Sequence, residues 1–86
     1  MGLESMREEI ESIDEEILRL LGKRLELAVV IGKYKRDKGI SIMQPEREKI
    51  LVAKHVKQGK DLGLEPDFVE DIYQRIMQEM RRKQCE

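Results

Sequence analysis

The chain has 86 residues, with 17 Lys+Arg against 18 Asp+Glu and a formal net charge of -1, so it holds one domain (1–86) and no bulk charge to attract nucleic acid or an anionic membrane. Aromatic residues are 3% of the chain and Trp is absent, which excludes a base-stacking surface; no apolar run is long enough to span a bilayer. Roughly three helices fit this length, without a large private core, which favours oligomerisation.

From Leu3 to about Lys38 there is no Pro, and Leu3, Met6, Ile10, Ile13, Ile17, Leu20, Leu27, Ile31 and Tyr34 recur at alternating spacings of three and four. That is a long helix with a heptad-like stripe. Ser5 and Glu8 have the spacing of a capping box. Gly22 and Gly32 each cost about 1 kcal/mol against Ala inside a helix, so packing must override them. A close neighbour explains Gly32. Roughly 35 residues at about 1.5 Å give a rod of about 50 Å, against a radius of gyration of about 12 Å for a compact chain of this size. Two shorter helices cannot cover such a rod, and the expected assembly is a homodimer in which the long helices pair.

Lys38 to Met43 breaks the pattern and reads as a connection. Pro45 suits the first turn of a second helix, with Gln44 at its cap position, running to about Gly59. Gly59 to Glu65 reads as a loop. Pro66 then opens a third helix to about Gln84, whose apolar face takes Val69, Ile72, Tyr73, Ile76, Met77 and Met80. The fold class is therefore all-α, one long and two shorter helices per chain, interlocked as a helical-bundle homodimer.

Arg24 interrupts the apolar stripe between Leu20 and Leu27, where a buried guanidinium costs several kcal/mol unless an anion meets it. A register-setting residue that snorkels or pairs with a Glu is the plain reading. Lys35 lies three turns further, within about 20° and about 16 Å along the axis, so the two cations can hold a small anion between them. Taken singly, Lys35 is part of a solvated basic run. Arg47 and Glu48 open the second helix about 100° apart, able to meet different groups of one ligand, or merely forming a charged first turn. Gln84 extends the apolar face of the third helix. His55 reads as a packing or surface residue. There is no nucleophile motif, no phosphate loop and no metal spacing. The lone Cys85 suits a reducing cytoplasm. An enzyme made from these parts works by positioning and electrostatics, with no cofactor.

Four stretches together resemble the all-helical class of chorismate mutases. They are Met6-Arg7-Glu8-Glu9-Ile10 with Ile13-Asp14; Leu21 through Lys35; Pro45-Glu46-Arg47-Glu48; and Asp67-Phe68 through Tyr73-Gln74, with Gln84 following. The resemblance implies rearrangement of chorismate to prephenate, a pericyclic step in aromatic amino acid biosynthesis. It implies that Arg24 and Arg7 bind the two substrate carboxylates, that Arg47 supports one end, and that Lys35 and Gln84 donate to the ether oxygen. It further implies that Glu48 accepts from the ring hydroxyl. Gln44 and Met80 stand where relatives carry an acidic and a polar residue; Gln44 can act through its backbone N–H, whereas Met80 cannot donate to a carboxylate. Arg7 lies about 25 Å along the rod from Arg24 and about 100° round it, so it cannot enter Arg24's pocket from its own chain; an antiparallel partner can supply it, as the resemblance to the family's interlocked dimer implies. Two alternatives stay open: an isochorismate pyruvate lyase of the same fold, and a helical dimerisation module without catalysis.

Overall fold

The computed structural model describes residues 2–86 as three helices, α1 (Leu3–Lys38), α2 (Pro45–Asp61) and α3 (Pro66–Gln84). Both α2 and α3 begin with the proline that announced them, because the missing N–H falls among donors that have no helical acceptor.

Two glycines end helices. At Gly39 (φ 69°) the chain turns left-handed, with Ile40 N–H donating to Lys35 O at 2.8 Å and Gly39 N–H to Arg36 O at 3.3 Å. Gly63 (φ 82°) repeats this after α2, with Leu64 N–H on Gly59 O and Gly63 N–H on Lys60 O. Both are Schellman closures, which need a residue free to take positive φ. Gly59 is therefore not the end of α2, which runs two residues past it. Its missing Cβ serves α3 instead: a Cβ there would lie 2.7 Å from Val69 Cγ2.

The capping box does not form. α1 starts two residues before Ser5, with Gly2 as its cap, and Met6 N–H already donates to Gly2 O at 3.1 Å, so Ser5 sits inside the first turn.

α3 is the element against which both others pack. α1 and α3 run parallel, with Arg24 beside Arg75, Ile76 and Glu79, and Arg36 reaching Gln84. α2 and α3 form an antiparallel hairpin from Gly59 against Val69 to Glu48 against Arg81. The buried side chains are Ala28, Val69, Met77, Met80 and Gln84, a thin core for the apolar content. His55 stacks on Tyr73 with ring centroids 4.3 Å apart, so it packs.

The rod overhangs as its length requires. Cα extents are 55 × 24 × 15 Å and the radius of gyration is 16.0 Å, well above the about 12 Å of a compact chain. Every residue from Gly2 to Leu20 is exposed, and Leu3, Ile10, Ile13, Ile17, Leu20, Leu27 and Tyr34 each keep half or more of their surface open. α1 thus has two faces. The heptad stripe lies open, while a second stripe through Leu21, Arg24, Ala28, Gly32 and Lys35 turns to α3. Arg24 stands at the edge where the two meet.

Candidate active site

Small residues on α1 create the site. Ala28 is fully buried, and at Gly32 a Cβ would come within 2.6 Å of Gln84 Cα and closer still to its carbonyl oxygen. The backbones of α1 and α3 therefore touch where glycine is the only residue without a side chain to obstruct them. Gly32→Ala should destabilise the protein by about 1–3 kcal/mol despite its better helix propensity, because α3 must move away. At Gly22 nothing lies within 4 Å of the point where a Cβ would stand, so Gly22→Ala is the control. Urea denaturation that ranks the two variants equal would refute the close approach.

That approach sets Lys35 against Gln84. Lys35 Nζ donates to Gln84 Oε1 at 2.7 Å and reaches Ile42 O in the α1–α2 connection at 3.4 Å. An ammonium has only donors, so the amide must face it with oxygen. The Gln84 Nε2 is thereby left as a donor for something else, and Gln84 is 8% exposed, a buried polar residue held in one orientation. Arg36 completes the clamp, donating Nη1 to Gln84 O at 2.7 Å and Nη2 to Glu86 O at 3.0 Å. Gln84 O is among the carbonyls that a helix C-terminus leaves without partners. In the sequence Arg36 is hidden within the basic run.

One turn back along α3, Arg81 is ion-paired with Glu48 of α2, both partly buried. The pair brings the first turn of α2 to within a turn of Gln84. Arg81, like Arg36, is a residue of this cluster that the sequence does not single out. Arg47, next to Glu48, is exposed, Gln44 is the N-cap residue of α2, and Met80 is buried in the core.

Arg24 is half-buried and lines a cavity of about 230 Å³ with Leu21, Leu25, Arg75, Ile76 and Glu79. Glu79 is the nearby anion, yet it is already engaged: Arg82 donates to it at 2.7 and 3.0 Å, and that bond holds its carboxyl below the usual carboxylate range. Among the described residues Arg24 has no ion pair or hydrogen bond of its own. Arg7 is exposed on the overhanging half of α1, 3.9 Å from Glu4, and is not brought to the others within the chain. So α3 gathers Lys35, Gln84, Glu48 and Arg81, while Arg24 lines its own cavity beside Arg75, Ile76 and Glu79 and Arg7 lies outside.

Chemically, the cluster offers fixed hydrogen-bond donors and a spare cation. Among the described residues no three or more His, Cys, Asp or Glu are grouped to hold a metal, and no helix is long and apolar enough to cross a membrane.

The family model for chorismate mutase type II matches residues 6–85. The T-protein of Enterobacter agglomerans is 42% identical over 77 residues, covering 90% of this chain and 21% of its own length. A bifunctional chorismate mutase/prephenate dehydratase of Aquifex aeolicus is 40% identical, over 87% of this chain and 22% of the relative. The 4-amino-4-deoxychorismate mutase of Streptomyces venezuelae is 31% identical, over 93% of this chain and 78% of the relative. The chain thus spans about a fifth of the length of the T-proteins it matches and most of the Streptomyces enzyme.

Proposed function

The chain belongs to the type II chorismate mutase family, and from that premise we propose that it rearranges chorismate to prephenate in the synthesis of phenylalanine and tyrosine. The observation that carries this reading is the Lys35–Gln84 hydrogen bond, because it leaves an ammonium and an amide N–H side by side with their donors fixed. In the rearrangement an ether C–O bond breaks as a C–C bond forms within one molecule. Negative charge grows on the ether oxygen, and no proton or nucleophile is needed. Donors held in place before reaction stabilise that charge without reorganising.

The other residues hold the folded conformer in which the two reacting carbons meet, which is where much of the barrier is removed. Arg24, with no anion of its own, takes one carboxylate, and Arg7 of a second chain takes the other. Arg47 supports the carboxylate end, Gln44 offers its backbone N–H, Met80 contributes apolar floor, and Glu48 accepts from the ring hydroxyl. No step calls for a cofactor.

The site is built between two chains of an interlocked homodimer. What supports this is the open stripe of α1 and the overhang that carries Arg7 beyond its own helices. An antiparallel second copy covers that stripe and brings its Arg7 toward Arg24. The enzyme works in the cytoplasm, where the exposed thiol of Cys85 stays reduced.

Following the loss of chorismate absorbance with purified protein, and identifying the product, tests the reading. Prephenate is the expected product. Pyruvate released from isochorismate would mark a lyase instead, and inertness toward both would leave a dimerisation module.

A further inference from the structure

Glu48 is not a bare carboxylate. The guanidinium of Arg81 is bonded to its Oε1, and both side chains are about three-quarters shielded, with relative exposures of 29% for Arg81 and 24% for Glu48. Arg81 stands one turn from Gln84 on α3, the residue whose amide the mutase reading directs at the ether oxygen. Whatever part of a ligand reaches Glu48 meets a neutral ion pair with one carboxylate oxygen, Oε2, still free to accept.

Such a pair distinguishes two kinds of donor. A lone carboxylate in a shielded site prefers an ammonium to a hydroxyl, because Coulomb attraction adds to the hydrogen bond. With a guanidinium bonded to the same carboxylate, an incoming ammonium meets attraction and repulsion of similar size and must still lose its hydration. A hydroxyl loses little, since it needs only the lone pair on Oε2. Resting on the mutase reading, we propose that Arg81 sets substrate specificity. By neutralising Glu48 it makes the site accept the ring that carries a hydroxyl and reject the same ring carrying an amine, which is cationic near neutral pH. Arg81 does not touch the breaking bond; it acts on the substituent through Glu48.

The test measures kcat/KM for chorismate and for 4-amino-4-deoxychorismate with the wild-type protein and with Arg81→Gln, Arg81→Met and Arg81→Lys. Arg81→Gln keeps a donor for Glu48 and so preserves the α2–α3 tie while deleting the charge; Arg81→Met deletes both; Arg81→Lys keeps the charge. The wild type should favour chorismate. Arg81→Gln should move the ratio of the two kcat/KM values at least tenfold toward the amine, mainly through KM, and Arg81→Met should do the same if it folds. Arg81→Lys should restore the wild-type preference. A merely structural Arg81 would lower both activities together and leave the ratio unchanged in Arg81→Gln, which overturns the inference while leaving the mutase reading intact. A wild-type protein inert toward both substrates overturns the two together.

Discussion

Replacing Lys35 by methionine should lower kcat/KM for chorismate at least a thousandfold while leaving helix content unchanged. Removing one preorganised donor from a site of developing negative charge costs on the order of a hundred- to a thousandfold. Two further losses add to that. The donor removed is charged, and charge-assisted bonds are roughly twice as strong as neutral ones. Lys35 also fixes its neighbour: without Nζ at 2.7 Å, the Gln84 amide has no reason to turn its oxygen away from the substrate. Gln84→Met should cost less, roughly a hundredfold, because Lys35 remains and no charge is lost. The unbranched methionine side chain fills the space of the buried glutamine. Circular dichroism checks the fold, and steady-state kinetics the rate. A Lys35→Met protein within tenfold of wild type would falsify the assignment of Lys35 to the ether oxygen.

Which parts of this arrangement could be read beforehand follows from whether their cause is local. Pro45, Pro66 and Gly39 act on their own turn of chain, and the helix boundaries they mark agree with the structure. The length of α1 against the size of the chain is also a local quantity, and it anticipated the overhang. Gly32 called for a close neighbour, and the neighbour is there. Its identity, the backbone of Gln84, lies 52 positions away, beyond the reach of any local rule. The same distance hid Arg36 and Arg81. Their partners stand 48 and 33 residues off, and an arginine on a charged helix looks the same in sequence whether it is solvated or clamps another helix. A signal did exist for Arg36, since it lies one turn after Gly32 and so shares the face that approaches α3.

Two local readings failed for one reason, which is that a motif can fit without being the one used. Ser5 and Glu8 have capping-box spacing, but Gly2 lets the helix begin earlier, and a Ser already inside the helix cannot cap it. Gly59 fits a helix stop, yet Gly63 four residues later takes the left-handed turn, leaving Gly59 free to admit Val69. In each case the glycine whose backbone role decided the boundary stood a few residues from the one the pattern favoured.

Shared sites make a prediction that no single-chain site can meet. Arg7→Ala and Arg24→Ala should each lose more than a hundredfold in kcat/KM, since each removes a charged partner of a substrate carboxylate. Neither should unfold the protein. Arg7 is exposed with only a long ion pair to Glu4, the kind that contributes little. Arg24 is half-buried without a partner, and Ala is the better helix former. Mixed in equal amounts and allowed to exchange subunits, the two inactive proteins should recover about a quarter of wild-type activity, because about half the dimers are mixed and each has one intact site of two. The other site of the same dimer carries both lesions. Native mass spectrometry reports the mixed dimer, and the chorismate assay reports the recovery. Full exchange with no return of activity would mean that Arg7 and Arg24 do not meet across chains. The overhang of α1 would then be a dimerisation device only, and the second carboxylate would have to be held by a cation from the same chain, such as Arg75, which lines the same cavity as Arg24.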